Sequence, residues 1–191
     1  VGIFLLNLHR ATGDEKYLKQ ARAAGDYLVT AATRKEGRAY WPIVPGSPRV
    51  YLGFSHGAAG IGYYLLHLAQ RTRHALYGEL AEEAARFVLA HEDTDGEERA
   101  HWWRTVPKSS DYRRIQWCHG APGIGFFFHD LHRLRKQKPY SEALERCLET
   151  TRLRGRSARV SACQCHGVTG NAELFLEVYA ATGNEMWLRE A

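Results

Sequence analysis

The pattern His-Gly-x-x-Gly occurs three times in this chain, as His56-Gly57-Ala58-Ala59-Gly60, His119-Gly120-Ala121-Pro122-Gly123 and His166-Gly167-Val168-Thr169-Gly170. Each copy runs into an apolar, aromatic-rich stretch, so the chain repeats one structural unit. A second repeat frames the unit: Ala11-Thr12-Gly13-Asp14 through Ala21 recurs as Ala181-Thr182-Gly183-Asn184 through Ala191. In both places Gly ends one helix and Asp14 or Asn184 caps the next, whose buried face opens with aromatic-Leu-x-x-Ala. The unit is an antiparallel helical hairpin.

Ile61 to Leu68, Ile124 to Leu134 and Ala172 to Tyr179 are apolar on most faces, which predicts inner helices packed on all sides. The segments that follow are amphipathic. Tyr17, Leu18, Ala21, Tyr27, Leu28 and Ala31 keep helical spacing, as do Leu80, Ala84, Phe87 and Val88. The pattern predicts inner helices over 1–10, 58–71, 121–136 and 168–181, with outer helices over 14–33, 76–91, 140–152 and from 184. Loops fill 34–56, 92–119 and 153–166, and strand alternation is nearly absent. The expected fold is all-α, a partial arc of an α/α toroid whose functional face is the His-Gly-x-x-Gly end.

At 191 residues the chain fits one domain, and 45% hydrophobic residues exclude a disordered chain. No apolar run reaches the ~20 residues of a membrane helix, so no membrane span is expected. Lys plus Arg at 26 against Asp plus Glu at 21 gives a net charge of +5, too diffuse to require nucleic acid. Much of the excess, from Arg133 to Arg159, reads as a solvated helix face and loop. Val1-Gly2-Ile3-Phe4 reads as mid-helix rather than as a signal peptide, and the pattern from Met186 stops early, so residues 1–191 are expected to be one domain truncated at both ends. Cys118, Cys147, Cys163 and Cys165 without a secretory signal suggest a reducing, cytoplasmic setting.

Gly60, Gly123 and Gly170 read first as structure, letting neighbouring backbones approach closely. Three inner-helix N-termini meeting at one mouth would also favour an anion, including a thiolate. Cys118 precedes one copy and Cys165-His166 opens the next, and these residue types suit Zn²⁺. Cys163 and His119 are rival ligands on spacing alone, while Cys147 beside Leu144 and Leu148 reads as core. His56 has no cysteine neighbour and stands where an imidazole can exchange a proton. Arg114 stands four residues before Cys118, where it can pair with an anionic substrate or intermediate, or be a solvated loop residue.

Gly53-Phe54-Ser55-His56-Gly57, then Gln116-Trp117-Cys118-His119-Gly120-Ala121-Pro122-Gly123-Ile124, then Cys165-His166-Gly167-Val168-Thr169-Gly170-Asn171-Ala172-Glu173 resemble, in that order, the signatures of lanthionine synthetase C-like proteins. The resemblance runs the length of the chain and covers roughly half of the family's toroid. It implies an α/α toroid with zinc held by Cys118, Cys165 and His166. It also implies a thioether cyclase that adds a cysteine thiol to dehydroalanine or dehydrobutyrine in a dehydrated precursor peptide, the family also including eukaryotic relatives that add glutathione to dehydrated residues. His56 would transfer the proton, with Arg114 nearby. An aspartate that the family draws from an earlier hairpin has no counterpart here. Such cyclases stand alone or join other domains in a larger synthetase. Two other readings remain: a further toroid enzyme, such as a glycoside hydrolase using Asp130 and Glu173 or a prenyltransferase subunit, and a non-catalytic zinc- or peptide-binding module.

Overall fold

Each apolar stretch behind a His-Gly-x-x-Gly copy forms a helix capped by the first glycine of that copy, at Gly57, Gly120 and Gly167. The computed structural model describes residues 1–94, 100–108, 114–155 and 161–191. Four inner helices, α1 (Gly2–Thr12), α3 (Ala58–Thr72), α5 (Ala121–Arg135) and α7 (Val168–Thr182), contact one another in sequence. Each is followed by its outer partner: α2 (Glu15–Ala31), α4 (Ala75–Leu89), α6 (Lys138–Arg154) and α8 (Glu185–Glu190). This is the expected arc of an α/α toroid.

The hairpin turns explain the shorter repeat. Gly13 and Gly183 take left-handed conformations at φ 71° and 67°, and the Asp14 and Asn184 side chains accept from the amides of Lys16 and Met186. Arg73 and Lys136 adopt the same conformation in the two middle hairpins at φ 56° and 54°. Their side chains hid the repeat there, because composition no longer marked the turn.

The core lies between the inner and outer layers of the middle hairpins. Leu65, Leu66, Leu68, Phe127, Phe128 and Leu131 are essentially inaccessible. Each such side chain contributes about 1.5–3 kcal/mol through burial. The expectation that the three inner helices behind the His-Gly-x-x-Gly copies are packed on all sides holds for α3 and α5 but not for α7, and the first inner helix is likewise open. Helix α1 buries only Leu5 and His9 and exposes Phe4, while α7 exposes Val168 and Leu176. The reason is positional: α3 and α5 have inner neighbours on both flanks, whereas α1 and α7 form the edges of the arc.

The connecting loops carry short strands, contrary to the expectation of featureless loops. β1 (Thr33–Lys35) pairs with β2 (Arg38–Tyr40), β3 (Val50–Tyr51) with β6 (Thr105–Val106), and β4 (Asp93–Thr94) with β5 (Ala100–His101), all antiparallel. Strands this short leave no alternation to read. The basic stretch is also more structural than expected. Arg135 binds Glu82 and Arg146 binds Glu92, tying the third hairpin to the second. Arg156 and Arg159 of that stretch lie outside the described residues.

Candidate metal centre

The three His-Gly-x-x-Gly turns are joined through equivalent backbone groups. The Ser55 amide donates to the Cys118 carbonyl at 3.2 Å, and the Cys118 amide donates to the Cys165 carbonyl at 3.0 Å. Ser55, Cys118 and Cys165 each stand directly before the histidine of their copy. A three-rung backbone ladder therefore crosses the mouth of the arc, and two of its rungs carry thiols.

Glycine makes this crossing possible. A Cβ on Gly60, Gly123 or Gly170 would fall 1.7, 1.9 or 1.9 Å from the carbonyl oxygen of Phe54, Trp117 or Gln164. In every copy that carbonyl belongs to the residue before the ladder rung, so the last glycine lets the turn fold back onto its own helix. The same glycines seat aromatic neighbours. Phe54 approaches Gly123, Trp117 approaches Gly170, and the two rings meet edge to face at 5.1 Å.

Cys118 is buried and Cys165 is exposed, and the Cys118 thiol donates to Gln116 Oε1 at 3.9 Å. Burial, followed by the influence of the nearby Cys165 side chain, pushes the Cys118 thiol up to about 11. A cation held by both sulfurs would reverse this shift, because metal binding favours the thiolate form. Two neighbouring thiols, with an imidazole next in sequence, are a donor set whose chemistry fits Zn²⁺. His166 is exposed on the turn beside Cys165. Among the described residues no group of three or more His, Cys, Asp or Glu side chains is disposed to hold a metal ion; the backbone ladder sets Cys118 and Cys165 on neighbouring rungs.

The rival ligands have other partners. The Cys163 sulfur accepts from the Ser161 hydroxyl at 3.1 Å, and that bond, followed by the His166 amide, holds its thiol below the ordinary value. His119 packs against Tyr51 and His56, with ring centroids 5.5 and 6.0 Å away. Burial, then the nearby charges of His56, Arg104 and Arg114, pull His119 down to about 4, so its ring is neutral at neutral pH. Its Nδ1 is buried without a hydrogen-bond partner. Cys147 is wholly buried in α6, as core.

His56 is exposed at the mouth and lines a cavity of about 560 Å³ with Tyr27, Leu28, Phe54, Ile61 and Trp117. Arg114 is half-buried in the segment under Gly120, whose φ of 125° lets the Arg114 carbonyl lie against it. The mouth thus gathers His56, Arg114 and Cys118 around His119. Tyr51 and Arg104 were missed. They arrive through β3 and β6, where the Leu52 amide donates to the Arg104 carbonyl, a pairing that no local spacing announces. Asn171 was quoted only within its motif. It is buried, and its Nδ2 donates to the carbonyls of Ile115 and Gly155, both at 3.1 Å, pinning the segment that leads to Cys118.

The inner-helix carboxylates weighed for glycoside hydrolysis have separate partners. Glu173 accepts from Gln164, and Asp130 accepts from His67 and Arg133. Burial raises the Asp130 carboxyl, but hydrogen bonds from His129 and His67 and the charges of His67 and Arg133 outweigh it. They hold Asp130 well below the usual carboxylate range. That is the reverse of a general acid. No helix among the described residues is long and apolar enough to cross a membrane.

Comparison with known proteins adds the lineage of this arrangement. The family model described as lanthionine synthetase C-like protein matches residues 1–191. A protein of Danio rerio named glutathione S-transferase LANCL1 is 27% identical over 143 residues, which cover 74% of this chain and 33% of that protein. Among solved structures, nisin cyclase superposes with a TM-score of 0.71 at 17% identity, over 97% of this chain and 51% of the cyclase. A GH76 α-mannanase of Bacteroides thetaiotaomicron superposes at 0.72 and 12% identity, over 99% of this chain and 53% of the other. The chain thus spans a third to about half of these proteins, and both structural likenesses are likenesses of fold.

Proposed function

The chain belongs to the lanthionine synthetase C-like family, and from that premise we propose that it forms part of a zinc-dependent thioether cyclase. The reaction adds a cysteine thiol to dehydroalanine or dehydrobutyrine in a precursor peptide. The observation that carries this reading is the backbone bond from the Cys118 amide to the Cys165 carbonyl, which sets the two thiol-bearing residues on neighbouring rungs at the shared mouth of three inner helices. Paired, reduced thiols at the open end of a toroid suit a soft metal and a substrate that enters there. Cysteines kept reduced also suit a cytoplasmic setting, alone or with other domains of a larger synthetase.

Cys118, Cys165 and His166 hold the zinc in this account. The metal, when bound, lowers the pKa of a substrate thiol and supplies a nucleophile at neutral pH. The chain's own residues do the rest. The cavity beside His56 seats the unsaturated side chain against Phe54 and Trp117 and keeps water from it. As the S–C bond forms at the β-carbon, the C=C electron pair moves onto the enolate. His56, having taken up the proton that the thiol gives up, then delivers it to the α-carbon. Arg114 faces the negative charge that builds on the enolate oxygen. His119, neutral and packed on His56, orients that imidazole.

A glutathione thiol fits the same step in place of the peptide's own cysteine, a second reading that the relative named glutathione S-transferase favours. The assay incubates the protein with a dehydrated peptide that carries one free cysteine, with and without glutathione. Ring closure leaves the mass unchanged and removes an alkylatable thiol, whereas glutathione addition raises the mass. The absence of both changes in the zinc-loaded protein overturns the proposal.

A further inference from the structure

A second polar cavity, also of about 560 Å³, opens on the inner face between α1, α3, α5 and α7, well below the mouth. Its wall is built around Asp130, whose side chain is 11% exposed. Asp130 Oδ2 accepts from His67 Nε2 at 2.7 Å, Oδ1 accepts from Arg133 Nε at 3.3 Å, and His129 Nδ1 lies 3.4 Å from Oδ1. The carboxylate is ionised, so His67 carries its proton on Nε2. Tyr63 packs on the His67 ring at 4.4 Å and fixes its orientation.

These contacts leave donors in excess. Arg133 spends only Nε on Asp130, its side chain is 54% exposed, and it lines the same cavity. Arg10 lines the cavity from α1, and Glu177 is the one further acid in its lining. Two guanidiniums and two imidazoles thus stand against two carboxylates, one already satisfied. A planar guanidinium fork recognises a carboxylate well, with two parallel N–H donors.

The position sets a distance. His67 is nine residues below Ala58 on α3, and Asp130 is nine below Ala121 on α5, about 14 Å from the mouth at 1.5 Å per residue. An extended peptide covers that in about four residues.

We infer that Arg10 and Arg133 form a specificity subsite that binds the carboxylate of an acidic substrate residue about four positions from the reacting cysteine. This rests on the peptide-cyclase reading, whose substrate class it narrows.

Two fluorescein-labelled hexapeptides test it, each with cysteine at position one and either Asp or Asn at position five. Binding to the purified protein is followed by anisotropy, and thioether formation is followed separately on dehydrated versions of both. The Asp peptide is expected to bind about tenfold more tightly, the order of one charge-assisted contact. Arg10→Gln and Arg133→Gln are each expected to erase that difference and to leave the Asn peptide unaffected. Arg10 is exposed on α1, so its variant leaves the core intact. Equal binding of the two peptides, or a preference that survives both variants, overturns the subsite. An arginine-dependent preference without any thioether product upholds the subsite and refutes the cyclase reading. Thioether formation at equal rates with equal binding does the opposite.

Discussion

The Cys118 amide donates to the Cys165 carbonyl across 3.0 Å. The two residues occupy equivalent positions of adjacent repeats, with Ser55 on the remaining rung. The repeat geometry, rather than any local loop motif, sets the two cysteines side by side. It follows that the proposed metal centre depends on the glycines that hold the rungs in register.

Gly123→Ala is therefore expected to be far more damaging than a surface glycine replacement. Its Cβ would meet the Trp117 carbonyl oxygen at 1.9 Å, and backbone on both sides must shift. A loss of about 3 kcal/mol, or roughly 6–12 °C in melting temperature, is expected. Gly13→Ala meets nothing within 4 Å and pays only for its left-handed φ, about 1 kcal/mol. Calorimetry on the two variants checks the order, and equal losses would refute the close-approach argument.

His56→Ala is expected to keep its zinc and lose rate. His56 is exposed and makes ring contacts with Tyr51 and His119, neither of which is a proposed ligand. Thioether formation should fall by about 10²–10⁴, the range for a removed acid or base. Full activity in this variant would reduce His56 to a helix-start residue.

Acid stability should carry the signature of Asp130. Its carboxyl is held below an ordinary value of 3.8, so it favours the folded state above that value. The contribution is lost as pH falls below about 4, toward the lower folded-state value. Asp130→Asn, which leaves His67, His129 and Arg133 without their anion, should cost on the order of 3 kcal/mol at neutral pH and flatten the acid limb. Denaturant melts between pH 2 and 7 measure both. An unchanged acid limb would remove Asp130 from the account.

The inner and outer helices were legible because apolar periodicity and caps such as Asp14 and Asn184 are local signals. The edges of the arc were less so, since Leu176 lies in a run read as packed on all sides and becomes exposed only through the order of packing. At the mouth, His56, Arg114, Cys118 and Cys165 were readable from motifs. Tyr51 and Arg104 were not, because their place depends on β3 pairing with a strand more than fifty residues away. The subsite around Asp130 was half visible. Asp130 was noticed as a carboxylate, but its partner His67 and the cavity-lining Arg10 come from other helices, which sequence spacing does not relate.

Zinc content per chain is the most direct test of the central claim. The purified protein should carry one equivalent by elemental analysis, Cys118→Ala and Cys165→Ala should carry none, and Cys163→Ala should carry the full equivalent. Circular dichroism on the same samples shows that the helices survive. Undiminished zinc in Cys118→Ala, or its loss in Cys163→Ala while the helices persist, would contradict the assignment of the metal to the Cys118–Cys165 pair.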